Sequence, residues 1–197
     1  MKKPVKIALI VLCVIFLSIF VYSGYKLIST LHEYKVAEDT YNKISSDYVS
    51  PKSDKNKDKD NSDGNQITES SPVDVDFDAL LNQCQDVVGW LYSENTVINY
   101  PVVQTDNNTT YLSRLFDLSG NGSGTIFMDM DGTAPGAVDQ QTTLYGHHMY
   151  DSTMFKIVDD TLKQDAFDAF GNVYYITREN TYVFKPLFTA QVMDTYT

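Results

Sequence analysis

The sequence predicts a mainly β domain carried behind an N-terminal membrane helix, and three observations make that prediction. An almost unbroken apolar run, Ile7 to Tyr22, follows Lys2, Lys3 and Lys6. After Trp90 the pattern turns to short apolar runs of strand length separated by turn-rich segments. Only one stretch of that later part keeps helical spacing, and strands that dominate with few helices between them favour an antiparallel or mixed barrel or sandwich over a parallel α/β sheet.

The apolar run, extended by Ser23, Gly24 and Tyr25, is just long enough to span a bilayer. The lysines in front of it place the N-terminus in the cytoplasm and everything after Lys26 outside, as a signal anchor does. The competing reading is a cleaved signal peptide cut near Gly24. Residues 1–28 are thus tail and anchor. From Lys26 to Val49 a loosely helical series, Leu27, Leu31, Tyr34, Tyr41, Ile44 and Tyr48, reads as a stalk. Ser50 to Pro72 holds one large apolar residue, Ile67, among Lys, Asp, Ser and Asn, and cannot bury enough surface to offset its ordering entropy. Residues 29–72 are accordingly stalk and flexible tether, and the domain proper is expected over 73–197.

Within that domain Phe77, Leu81, Cys84, Val88 and Leu91 recur at helical spacing, which predicts an amphipathic helix over Asp76–Leu91 with an acidic start. Strands are expected in Val97–Val103, Gly124–Met128, Thr143–Tyr145, Val173–Ile176 and from Tyr182 to Val192, with one helix from about Ser152 to Phe170. Asp129-Met130-Asp131-Gly132 has the opening of a calcium loop, but Thr133 and Pro135 stand where further ligands belong, so it reads as a turn.

Composition excludes some functions. The chain has 197 residues and a formal charge of −11, and from Val73 onward Arg114, Lys156, Lys163, Arg178 and Lys185 face an excess of Asp and Glu. Such a surface repels phosphate backbones, so no nucleic-acid partner is expected. Cys13 lies in the apolar run and Cys84 on the soluble helix, which rules out their pairing, and no CxxC spacing exists for zinc. Cys84 falls on an apolar stripe and reads as core with a raised pKa. No metal and no cofactor is expected.

The chemistry concentrates in Thr143-Leu144-Tyr145-Gly146-His147-His148-Met149. Leu144 and Tyr145 read as the end of a buried strand, Gly146 lets the chain turn, and His147 then stands at the strand's mouth, where an imidazole can exchange protons near neutral pH. Taken with Asp86–Leu91, Asn99–Gln104, Gly124–Asp129 and Thr153-Met154-Phe155, in that order behind an N-terminal anchor, this stretch resembles the class B sortases, the membrane-anchored cysteine transpeptidases of Gram-positive bacteria.

The resemblance implies a sortase-type β-barrel, with an N-terminal helix and one helix after the His motif, and puts the family's catalytic histidine on His147. The segment after Gln104 then lines the peptide groove, which points to Asn108 and Leu112. The implied partners are a sorting-signal peptide, a cell-wall precursor amine and the membrane. The family's Thr-Leu-x-Thr-Cys strand and later arginine have no counterpart here, so the barrel is expected to be incomplete at its C-terminus and the chain by itself inactive. Two alternatives stay open at this point: an inactive membrane-tethered binding or structural module, and a hydrolase using Ser152 or Ser123 with His147, for which no GxSxG-type motif is present.

Overall fold

A computed structural model describes residues 3–52, 71–133, 135–136 and 138–193. Its elements run helix α1 (Lys3–Tyr48), strands β1 (Val49–Pro51) and β2 (Val73–Val75), helix α2 (Phe77–Gln83), β3 (Val87–Tyr92), β4 (Asn99–Val103), a 3-10 turn (Thr110–Leu112), β5 (Ile126–Met128), β6 (Leu144–Tyr145), helices α3 (Lys156–Asp160) and α4 (Gln164–Ala169), β7 (Val173–Ile176) and β8 (Thr181–Phe184). Six strands form one curled mixed sheet in the order β6-β5-β4-β3-β7-β8, with β4 and β5 parallel and the other neighbours antiparallel. A half-barrel with helices and an N-terminal apolar helix is what the sequence predicts.

The core lies on the central strands. Trp90, Val102, Val103, Ile126 and Met128 are almost completely buried, and the indole of Trp90 donates to Asn99 Oδ1 at 2.8 Å, so its one polar atom is satisfied inside the apolar layer. A cavity of about 410 Å³ opens on the apolar side, lined by Leu91, Met128, Leu144, Phe155, Tyr175 and Phe184 among others.

Four elements depart from the sequence expectation. The helix expected over Asp76–Leu91 is only α2, and its second half is β3. Asp76 does cap the helix, accepting from the Ala79 amide at 3.0 Å. Beyond it, Val87, Trp90 and Leu91 are all buried, and a strand covered on both faces shows no alternation to distinguish it from a helix. Gly89 belongs to this strand because the Tyr175 ring lies where its Cβ would be, 2.4 Å from the nearest ring carbon.

The helix expected over Ser152–Phe170 is broken into α3 and α4. Thr161 Oγ1 donates to the Val158 carbonyl at 2.6 Å, a local bond that competes with helix continuation, and Lys163 is extended. The last strand ends at Phe184 rather than Val192, since Pro186 has no amide to give to a ladder. Finally β6 is not buried: it pairs only with β5 and lies at the sheet edge, with Leu144 half-buried and Tyr145 exposed.

The end of the segment read as a stalk packs on the domain. One unit comprises residues up to Val36, and the other, Ala37–Thr197, includes the end of α1. Ala37, Tyr41 and Ile44 form a buried i, i+4, i+7 stripe, and Ser45 Oγ accepts from Asn99 Nδ2 at 2.6 Å. Val49, Ser50 and Pro51 pair with Val75, Asp74 and Val73, so the polar segment starts in strand β1 and is followed directly by strand β2. The middle of the tether, residues 53–70, including Asp54 to Asp63, lies outside the described residues. Among the described residues one helix, α1, is long and apolar enough to cross a membrane, and Ile10, Phe16 and Phe20 on it are exposed.

Candidate functional site

His147 stands two residues beyond β6, and two features of the local chain hold it there. Gly146 has no Cβ where the Phe155 ring packs, 2.7 Å from the position a Cβ would take, so the ring lies directly against the backbone. The Phe155 amide then donates to the His147 carbonyl at 2.9 Å, and His148 bridges Met154 antiparallel. This clamp depends on a tight turn in which Ser152 (φ 70°) and Met154 (φ 54°) both occupy the left-handed region, unusual for side chains other than glycine. Met154 is held in place by burial and by its amide, which donates to the Tyr100 hydroxyl at 3.2 Å.

The ring of His147 turns toward the 3-10 turn. Its Nε2 lies 2.6 Å from the Leu112 carbonyl oxygen. A carbonyl only accepts, so Nε2 carries the proton and the tautomer is set by this contact. Gly124 makes the approach feasible. It sits at φ +60°, and a Cβ there would stand 2.6 and 2.8 Å from the carbonyl oxygens of Tyr111 and Leu112 and 3.2 Å from the His147 ring. Any side chain at this position would force apart the two groups that meet in front of it.

Asn108 belongs to the same face by a different route. Its Oδ1 accepts from the Met130 amide at 2.8 Å and its Nδ2 donates to Asp129 at 3.2 Å. Asp129 also accepts from the Asp131 amide and from the Tyr145 hydroxyl, at 3.0 and 2.7 Å. These bonds, the Asp131 amide foremost, hold its carboxyl below the usual carboxylate range. The motif with the opening of a calcium loop is thus a hydrogen-bonded turn. Gln104 fixes its far side, donating to the carbonyls of Asp129 and Gly132 and accepting from the Gly136 amide.

The sequence-predicted residues therefore fall into two sets. His147 and Leu112 are in direct contact, with the Leu112 side chain 42% exposed. Asn108 is joined to them through the Asp129 turn and Tyr145 on the strand leading to His147. Cys84 is elsewhere: 7% exposed, at the end of α2, with Sγ 3.3 Å from the Tyr111 hydroxyl, which itself donates to Asp86 at 2.8 Å. Burial pushes the thiol pKa up, as its place on an apolar stripe implies. Ser123 is buried with an unpartnered hydroxyl and Ser152 serves the turn, while the bonded nitrogen of His147 takes Leu112 instead of either serine. His148 faces away to α3, with Nε2 3.5 Å from Asp159.

Sequence reasoning missed Gly124, Tyr100, Phe155 and Asp129. Gly124 and Phe155 lie inside the motifs that carry the resemblance, but nothing in a linear pattern says that a glycine is there to let a histidine and a carbonyl meet. Among the described residues no three His, Cys, Asp or Glu side chains converge as a metal site would need.

No protein-family model matches the chain. It is 31% identical over 164 residues to Sortase B of Staphylococcus aureus, an alignment covering 83% of this chain and 58% of that protein. Among solved structures, sortase B from B. anthracis in complex with AAEK1 superposes with a TM-score of 0.60 at 27% identity, covering 86% of this chain and 76% of that one. The S. aureus sortase B-substrate complex gives 0.52 at 33% identity over 55% of this chain and 50% of that one. Sortase B complexed with triglycine gives 0.53 with the same identity and coverage. A curled mixed sheet with a histidine just past one edge strand, matched over most of the chain's length, defines a sortase-type β-barrel protein. Within that group the chain belongs to the class B sortases, and it spans 58% of the length of the S. aureus relative.

Proposed function

We propose that this chain carries the histidine and part of the peptide groove of a membrane-anchored cysteine transpeptidase that joins surface proteins to the cell wall. The observation that carries the reading is the 2.6 Å contact between His147 Nε2 and the Leu112 carbonyl, because it joins the residue proposed to move the proton to a residue proposed to line the groove. The S. aureus substrate complex and the triglycine complex support a peptide substrate and an amine acceptor.

In this reading a thiolate attacks the carbonyl carbon of the sorting-signal peptide bond. His147, protonated as the thiol ionises, gives that proton to the leaving amine as the C–N bond breaks, leaving a thioester; an amino group of the cell-wall precursor then attacks and passes its proton back to the imidazole, so that the new amide forms as the thiolate leaves. The thiol is neither Cys84, which is buried and bonded, nor Cys13, which lies in the apolar run. With neither cysteine placed to act, the chain is expected to bind peptide without cleaving it. Asn108 holds the groove wall through the Asp129 turn, and Leu112 offers its exposed side chain. Lys2, Lys3 and Lys6 keep the N-terminus cytoplasmic and leave everything after Lys26 outside.

The test uses the chain in lipid vesicles with a fluorescent sorting-signal peptide. Expected are weak binding, lowered several-fold by Leu112→Ala, and no cleavage. When the coding sequence is extended to include a Thr-Leu-x-Thr-Cys strand, cleavage appears and His147→Ala abolishes it. Cleavage by the unextended chain that survives His147→Ala and is lost in Cys84→Ala overturns the proposal. Binding without cleavage in the extended protein leaves a tethered binding module as the function.

A further inference from the structure

Tyr41, on the part of α1 that the sequence pattern assigns to a stalk, touches both structures that hold His147. Its side chain is 5% exposed. Its hydroxyl donates to the Gly124 carbonyl at 2.5 Å and lies 2.9 Å from Thr125 Oγ1, which in turn donates to the Arg114 carbonyl at 2.9 Å. Gly124 is the residue whose missing Cβ lets the His147 ring reach the Leu112 carbonyl, and the Thr125 amide donates to the Tyr111 carbonyl beside it at 3.0 Å. The Tyr41 hydroxyl thus fixes the ground on which the ring contact is built.

The ring of Tyr41 serves the other structure. It packs edge-on against Tyr100 with centroids 5.3 Å apart. The Tyr100 hydroxyl accepts from the Met154 amide in the left-handed turn, and that turn delivers the Phe155 amide to the His147 carbonyl. From one buried residue, one path leads to the imidazole and a second to the backbone that carries it.

We infer that Tyr41 is a positioning residue for His147, so that the last turns of α1 belong to the reacting apparatus and not to a spacer. It does not touch the reacting atoms. It fixes which ring nitrogen is protonated by keeping Gly124 and Leu112 where that nitrogen must donate. A tyrosine is required because a phenyl ring would pack on Tyr100 and leave the Gly124 carbonyl without its donor.

This rests on reading His147 as the proton-transferring residue, but the test reads a hydrogen bond and needs no turnover, so absent cleavage and absent coupling are separate results. The full chain, labelled at histidine and tryptophan with nitrogen-15, is placed in lipid nanodiscs. The Nε2–H signal of His147 and its exchange with water are then recorded, with the Trp90 indole N–H and the His148 ring as internal references. In Tyr41→Phe the His147 signal is expected to exchange at least about tenfold faster, roughly the loss of one neutral hydrogen bond, while Trp90 and His148 stay as in the parent. If Tyr41→Phe loses the Trp90 signal as well, it is read against the parent chain brought to the same Trp90 loss by urea. Unchanged His147 exchange, or in that case His147 exchange no faster than in the parent reference, overturns the inference. Equal acceleration at His148 overturns it too, since that marks general loosening.

Discussion

The two flanks of the sheet are held by different physics. On the β7–β8 flank four residue pairs are in register, Val173 to Ile176 against Phe184 to Thr181, and the Tyr175, Tyr182 and Phe184 rings stack along them. On the β5–β6 flank only Phe127 with Tyr145 and Met128 with Leu144 are paired. Yet the second flank carries His147. What it lacks in ladder it has in side chains that bond to backbone: Gln104 to Asp129, Gly132 and Gly136, Asn108 to Met130, and Asp129 to Asp131. A ladder accepts most residues that suit a strand, whereas each of these bonds requires its own residue type. The flank that carries His147 is therefore specified by side-chain identity, and the other flank by pattern.

Substitutions break the comparison in a definite order. The largest effect is expected for Gly124→Ala, which meets both positive φ and two carbonyl oxygens. Destabilisation of roughly 3 kcal/mol by chemical denaturation is expected, with the His147–Leu112 bond lost. Next, Gln104→Ala strands the Gly132 carbonyl and the buried Gly136 amide in the β5–β6 connection and should cost about 2 kcal/mol. Faster hydrogen exchange at the Gly136 amide, with the β7–β8 amides unchanged, would localise that loss. On the opposite flank Phe184→Ser, at a partly exposed edge position, should cost no more than about 1 kcal/mol. A larger loss there than at Gln104 would reverse the comparison.

The smallest effect sharpens it by pH. The Asp129 carboxyl is held below its ordinary range by the Asp131 amide first, then by Tyr145 and Asn108. A folded pKa below the unfolded value of about 4 contributes stability that is fully present above that value and is lost as pH falls through the folded pKa. An acid titration should thus loosen the Asp129 turn before the β7–β8 ladder, and Asp129→Asn should remove that early phase.

The same division decides what the sequence shows. The β4, β5 and β7 runs, the turn at Gly146 and the position of His147 are legible because each is a local pattern of apolar residues broken by a turn former. The identity of β3 is hidden by its burial on two faces, which erases period two. The role of Tyr41 is hidden by distance, since the carbonyl it serves lies 83 residues away. Seen alone, Tyr41 is one aromatic on a weakly amphipathic helix. The Asp129 turn shows a third kind of ambiguity: its carboxylates suggest a cation, while the Asp129 carboxyl is taken by Asn108 and Tyr145, outside the motif, as well as by the Asp131 amide within it.

The buried Cys84 gives the chain a built-in clock. Its thiol is closed off between the end of α2 and Tyr111, so a water-soluble alkylating reagent reaches it only when that corner of the fold opens. Because opening there separates α2 from the 3-10 turn that bears Leu112, the alkylation rate at Cys84, read apart from the exposed Cys13, times the transient exposure of that turn in the native protein.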